Sequence, residues 1–399
     1  MRISENKTTA NLLTAMVLAG GEITSDNMRL ASLAGISDRM MRWTVERLIS
    51  NRYIEQKDRG GEGRYRLKLF EKMKGEYLSQ LWDGAEGYEP QIYGANAKSM
   101  QRDMDLSELI FLMENASVSV TPDKAPIPEA GNEKAIIEKA IVPLFLPSRE
   151  VRKAFPVDDS RERMARYHGM LVTENGVFPV YNYSRSRYDY IGSVETGAAK
   201  TAEQIRQLYL PDTDRYVAYD YKHSPAANDS RNRVITKGCL IVTDDYMKLL
   251  PFFIPEKRNE TEKRVRRGTG IAALAYSYDT ILAIPMKNVV TASYINMFAA
   301  ELWHKRLTDL ALSNEQRIPD NARGSVDIDG IADGEKTICF IDCDIRRLRN
   351  VIANADENSS YRVVCYDFQL PLLENILPDN FRPVPYTMDE VYTAYCAAL

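Results

Sequence analysis

Apolar residues recur at helical spacing in three stretches of the first fifty positions, and then the pattern switches to strict alternation. Leu12, Leu13, Met16 and Val17 form a stripe in a helix predicted over Thr8 to Ala19 and closed by Gly20-Gly21. Thr24-Ser25-Asp26 supplies capping residues for a short second helix that carries Met28, Leu30 and Ala31 and ends at Ala34-Gly35. Ser37-Asp38 opens a third helix. In it Met41, Val45, Leu48 and Ile49 are expected to face inward, with Arg39, Arg42, Trp43, Glu46 and Arg47 on the opposite side. After the turn at Asn51-Arg52, Ile54 to Lys57 reads as a strand and Gly60-Gly61-Glu62-Gly63 as a hairpin tip. Arg64 to Leu69 then alternates, so Tyr65, Leu67 and Leu69 point one way and Arg64, Arg66 and Lys68 the other.

Helix, helix, turn, helix and a two-stranded wing is the layout of a winged helix-turn-helix, expected over residues 1–75. Such a module lays its last helix in the major groove of duplex DNA and grips the adjacent backbone with the wing. The candidate DNA-binding residues are Arg39, Arg42, Trp43 and Arg47 on the helix and Arg64, Arg66 and Lys68 on the wing. Arginine suits bidentate contact with guanine, and each cation can neutralise a phosphate. Glu46 and Glu62 dilute the positive field, which fits sequence-selective contact better than indiscriminate grip. The bland alternative is the solvated charged face of a protein-binding module.

Farther along, Phe70, Met73, Tyr77, Leu78 and Leu81 suggest a helical connector, and Ala97 to Glu114 another helix built on Met100, Met104, Leu109, Phe111, Leu112 and Met113. Ser117 to Val120 reads as a short strand, and Thr121 to Glu133, with Pro122, Pro126, Pro128 and Gly131, as a linker. Residues 76–133 are therefore expected to connect the first module to an α/β domain at 134–399. There, Gly169 to Thr173 and Val177 to Tyr183 flank an Asn-Gly turn. A helix over Ala199 to Leu210 leads to the strand Tyr216 to Tyr221. Strand-helix units follow: Cys239–Val242 with Asp244–Leu250, Thr280–Ile284 with Ser293–Leu312, Ile338–Ile341 with Ile345–Ala353, and Tyr361–Tyr366 with Leu370–Leu377. Apolar strands alternating with helices imply a largely parallel sheet, so the fold class is α/β, or α+β with the first module included.

Composition changes this picture in one respect. The formal charge is −4, from 52 basic and 56 acidic residues, so any nucleic-acid contact must be a local patch and not a general polyanion surface. No stretch approaches the roughly 20 apolar residues that cross a bilayer, and Met1-Arg2-Ile3-Ser4-Glu5 lacks a signal-like apolar run. The five cysteines are widely spaced, without a Cys-x-x-Cys pair, which argues for a reducing, cytoplasmic setting and against a zinc site.

Other constellations are weaker. Tyr216-Val217-Ala218-Tyr219-Asp220-Tyr221-Lys222 has the Asp-x-Lys form of a metal-dependent nuclease half-site, with Asp189, Glu195, Asp212 or Asp214 as the second carboxylate. Only in that case would magnesium or manganese be needed, and solvated charges at a strand end are the plainer reading. Tyr181 to Tyr190 interleaves tyrosines with Arg185 and Arg187, which suits stacking on unpaired bases or simple sheet packing. Lys257 to Arg267 could extend a basic track or form a solvated loop. The three histidines, His168, His223 and His304, stand apart, and no phosphate-binding Gly-x-x-x-x-Gly-Lys loop occurs. Asp342 and Asp344 follow a strand where α/β sheets place ligands, although a helix cap explains them as well.

The arginine-lined wing, the helix ending Glu114-Asn115-Ala116-Ser117-Val118, and Arg166-Tyr167-His168-Gly169-Met170-Leu171-Val172 together resemble the replication-relaxation proteins of Gram-positive plasmids and integrative conjugative elements. The resemblance implies a winged helix followed by a restriction-endonuclease-like α/β domain, acting in plasmid replication or DNA processing for transfer. It implies duplex DNA as partner, with a relaxase or replication protein, and no membrane. Two copies on a repeated site would fit a homodimer. Residue by residue, only Arg39 to Ser50 and Arg64 to Lys68 carry over, because no paired-carboxylate motif stands here for the nuclease site. The alternatives are a metal-dependent nuclease using Asp189, Glu195, Asp220 and Lys222, and a winged-helix transcription regulator.

Overall fold

A computed structural model describes residues 6–59, 62–68, 78–85, 88, 97–124, 127, 143–155, 165–184, 192–209, 235, 237–254, 270–300, 303–312, 316–317 and 327–397. The chain is mixed α/β, with three sheets among the described residues, and divides into two units. Unit 1 is Met1–Pro156, His168–Leu171 and Met286–Ala292; unit 2 is Val157–Tyr167, Val172–Pro285 and Ser293–Leu399.

Unit 1 opens with α1 (Lys7–Ala19), capped by the Asn6 side chain accepting from Thr9 N and stopped by Gly20 at φ 117. Every residue from Leu12 to Ala19 is buried, more than one stripe requires. Next comes β1 (Glu22–Thr24), a strand with no counterpart in the sequence reading. Asp26 caps α2 (Asn27–Ala34), and Gly35 at φ 65 ends it. Ser37 caps α3 (Asp38–Ser50). The caps fall where their side-chain chemistry predicts, since each satisfies an orphan N–H locally. In α3 the inward line is Met41, Thr44, Val45 and Leu48. Ile49, expected inward, is exposed: it lies one residue, about 100°, past Leu48 around the helix. Thr44 takes the inward place, its hydroxyl donating to Met40 O at 2.9 Å.

The hairpin β2 (Ile54–Arg59) and β3 (Glu62–Leu67) pairs from Ile54↔Leu67 to Arg59↔Glu62. The expected four-residue tip is therefore too long: Glu62 and Gly63 belong to β3, while Gly60, Gly61 and Leu69 lie outside the described residues. β1 pairs antiparallel with β3, giving the order β1-β3-β2. Ile23, Ile54, Tyr65 and Leu67 are buried, and full burial of such side chains is worth roughly 1.5–3 kcal/mol each.

α4 (Ala97–Asn115) packs on α1, α2 and β1, which explains why α1 is buried beyond its stripe. α4 belongs to unit 1, whose first segment runs to Pro156. Its buried acids find partners there. Arg29 Nη2 lies 2.7 Å from Glu108 Oε2, Arg149 binds Asp103, and Ser107 Oγ donates to Glu22 O at 2.5 Å. Charges leave water only when paired in this way. The expected strand Ser117–Val120 is reduced to one parallel bridge, Ser119↔Leu144, to β4 (Leu144–Pro147), which runs into α5 (Ser148–Ala154).

β5 (Gly169–Thr173) begins among residues of unit 1 and ends in unit 2. In unit 2, β6 (Gly176–Asn182) precedes α6 (Gly192–Tyr209), which starts seven residues before its expected Ala199. β7 (Gly238–Thr243) is buried throughout; a 3-10 turn and the short α7 (Leu250–Phe253) follow, then β8 (Thr280–Pro285). β6, β7 and β8 run parallel, as continuous apolar strands predict. The helix expected over Ser293–Leu312 is two, α8 (Asn288–Ala299) and α9 (Trp303–Leu312). The second sheet has the order β13-β12-β11-β10-β9. Its strands are β9 (Gln316–Arg317), β10 (Gly330–Ala332) and β11 (Glu335–Cys339), then β12 (Tyr361–Tyr366) and β13 (Phe381–Tyr386), with β11, β12 and β13 parallel. Helices α10 (Ile345–Asn354), α11 (Leu370–Ile376) and α12 (Met388–Ala397) follow β11, β12 and β13 in turn. The strand expected over Tyr216–Tyr221 lies outside the described residues. No helix among those described is long and apolar enough to cross a membrane.

Candidate nucleic-acid interface

The outward side of α3 stands on Met41, Val45 and Leu48, whose burial fixes how the helix is turned. Arg39, Met40, Arg42, Trp43 and Glu46 are exposed as a result, and Arg47 is half-buried. Arg47 lies over the Trp43 ring, its guanidinium carbon 5.1 Å from the centroid, so cation and indole brace each other. Arg42 reaches back to Asp38 at 3.3 Å, an exposed i,i+4 pair that contributes little and yields readily to a phosphate. The structure thus brings Arg39, Arg42, Trp43 and Arg47 onto one accessible helix face.

The wing arginines meet a different environment. In register, Arg66 on β3 lies between Glu22 on β1 and Glu55 on β2, while Arg64 lies between Thr24 and Lys57. Arg64 Nε is 3.3 Å from Glu22 Oε2 and Arg66 Nε 3.7 Å from Glu22 Oε1. The Arg64 side chain keeps 12% of its exposure and that of Arg66 43%. The Glu22–Arg64 contact is Coulombic, since neither Glu22 Oε2 nor Arg64 Nε finds an aligned hydrogen bond among the described residues. Lys68 is exposed beyond the end of β3. The sheet face expected to be cationic is therefore mixed, and its missing member was Glu22. The available signal was Glu22-Ile23-Thr24 between Gly21 and the capping run, but three residues show no period.

The chain matches no family model, no curated protein and no solved structure.

Of the nuclease candidates in unit 2, Glu195 alone lies among the described residues. Asp189, Asp212, Asp214, Asp220 and Lys222 lie outside the described residues, as do Arg185 to Tyr190, His223 and Lys257 to Arg267. Glu195, on α6, is fully buried. Its carboxylate accepts from Arg166 N at 3.1 Å and from the Tyr181 hydroxyl at 2.7 Å, and that hydroxyl lies 2.7 Å from the Tyr278 hydroxyl. Burial, reinforced by the Glu195 charge, raises both phenols well above the usual tyrosine range. These bonds hold the carboxylate in the core. Among the described residues no group of three or more His, Cys, Asp or Glu is arranged to hold a metal ion.

Asp344 caps α10, accepting from Arg346 N at 3.0 Å and Arg347 N at 3.2 Å, and also accepts from Ile281 N. Burial and the neighbouring Asp342 push its carboxyl up to about 7. Asp342 binds Arg347 Nη1 at 2.8 Å and His304 Nε2 at 3.1 Å. Burial alone would raise Asp342, yet Arg347 and His304 outweigh it and hold the carboxyl below its ordinary value. Arg347 also meets Asp327 and Asp329, a buried role that its place in Ile345-Arg346-Arg347-Leu348 does not announce. His168, in unit 1, is buried 4.0 Å from Asp105, and burial keeps its imidazole well below the ordinary histidine range.

Proposed function

We propose that unit 1 carries a winged helix-turn-helix that binds duplex DNA sequence-selectively, with α3 as the helix that enters the major groove. The order α1, β1, α2, α3, β2, β3, with β3 central in the sheet, supports this reading. The observation that carries it is the outward face of α3: Arg39, Arg42, Trp43 and Arg47 stand together on a helix anchored from below. Helix-turn-helix modules present base-reading side chains from this position, and arginine can serve either guanine or phosphate.

The setting we propose is replication or DNA processing of a plasmid or conjugative element, with a relaxase or replication protein as partner. It rests on the sequence resemblance. In this reading the larger α/β part is what DNA binding delivers to that partner.

Fluorescence anisotropy with labelled duplex at rising salt tests the DNA-binding proposal. Affinity is expected to fall linearly on logarithmic axes, by about 0.9 per phosphate neutralised. Absence of salt-dependent binding would sink it. Co-purification of an element-encoded relaxase or initiator with the full chain tests the setting.

A further inference from the structure

We infer that α3 reads the C5-methyl groups of thymine through Met40 and Trp43, an inference that rests on the DNA-binding reading above. Both side chains are large, apolar and open to water, Met40 at 59% and Trp43 at 54% exposure. They are three residues apart and so share one face of the helix. They lie in its N-terminal half, the part that a helix-turn-helix directs at base edges. Apolar groups at that place need a reason, because their burial is worth roughly 1.5–3 kcal/mol each and is left unused in the free protein. In the major groove the apolar feature of a base edge is the thymine methyl.

Two observations favour DNA as the occupant of this face. Arg39, Arg42 and Arg47 border the apolar surface, a local concentration of positive charge that complements a polyanion. The Trp43 indole lies against the Arg47 guanidinium, whose carbon is 5.1 Å from the ring centroid, so positive charge stands directly beside the apolar ring. Met28, on α2, is 67% exposed and adds apolar surface to the helix that precedes α3.

The test starts by selecting duplexes from a random-sequence library with the full-length protein. The enriched duplex is then synthesised with deoxyuridine in place of thymidine, one position at a time. Removing a contacted methyl is expected to weaken binding about fourfold, the factor that corresponds to exposing one methyl-sized group. In the protein carrying Met40→Ala with Trp43→Ala, binding to the thymine duplex should weaken to that of the uracil duplex, so the two bind alike. Equal affinity of the unaltered protein for both duplexes overturns the inference and leaves DNA binding standing. So does a thymine preference that survives the double substitution. Failure to enrich any duplex instead overturns the DNA-binding reading itself. Self-association that Met40→Arg with Trp43→Arg abolishes, seen by sedimentation, overturns the inference in favour of a contact between copies of the chain.

Discussion

The arginines of α3 and those of β3 are alike in sequence and unlike in circumstance. Arg39, Arg42 and Arg47 project from a helix whose opposite side is in the core, and among the described residues Arg42 alone of the three pairs with an acid, the half-buried Asp38. Arg64 and Arg66 project from a central strand, where a neighbour on each side decides what they face. Glu22 stands beside both of them, and Arg64 has lost most of its exposure. A count of basic residues gives the two regions equal standing, but the charge available to a ligand depends on what the adjacent element places opposite. On a helix face that neighbour is the same helix, readable at i+4; on a sheet it is another strand.

The largest expected effect comes from breaking the β3 arrangement. Glu22→Ala leaves Arg64 buried without its counter-charge and is expected to cost about 3 kcal/mol of stability in urea unfolding. Adding Arg64→Met should recover a good part of it, and a Glu22→Ala protein as stable as the original would show that the pair is idle. Next in size, Arg39→Ala with Arg47→Ala should lower the salt slope of duplex binding by about 1.8, two phosphates' worth, with little change in stability. Arg66→Ala should change that slope by less than half as much. Equal losses from helix and strand would dissolve the distinction between them.

A half-buried acid with no hydrogen bond to its Oε2 among the described residues sharpens the role of Glu22. This acid is Glu114, at the end of α4, and burial lifts its carboxyl from 4.5 to about 8 despite Lys124 and Lys7 nearby. Its protonated form is favoured by folding, so this contribution is fully present below pH 4.5 and is lost as pH rises through about 8. Thermal stability should therefore decline as pH rises from about 5 to about 8, by on the order of 1–3 kcal/mol from this group. Glu114→Gln should flatten that decline, and an unchanged decline in the variant would assign it elsewhere. The smallest effect concerns Ile49. Ile49→Ser, at an exposed position, should move stability by no more than about 0.5 kcal/mol in urea unfolding, and a larger loss would place Ile49 in the core after all.

Much of the N-terminal layout was legible because its signals are local. Asp26, Gly35 and Ser37 mark helix ends through bonds to residues no more than four positions away, and Met41, Val45 and Leu48 set the orientation of α3 by helical period alone. The candidate face of α3 followed directly. The parallel strands β7, β8 and β12 were visible as apolar runs, since a strand covered on both sides carries no polar alternation. What the pattern did not contain were consequences of distant partners. β1 is a strand only because β3 lies beside it, more than forty residues later. α4 reads as a connector, yet its acids are buried because Arg29 and Arg149 come to meet them. Glu195 looks like a free carboxylate until Tyr181 and Arg166 N close on it. Sequence determined which residues could touch a ligand, because side-chain chemistry and helical period travel with the chain. Tertiary structure decided which of them are available, because a charge is neutralised or left open by whatever folding places within a few ångströms of it.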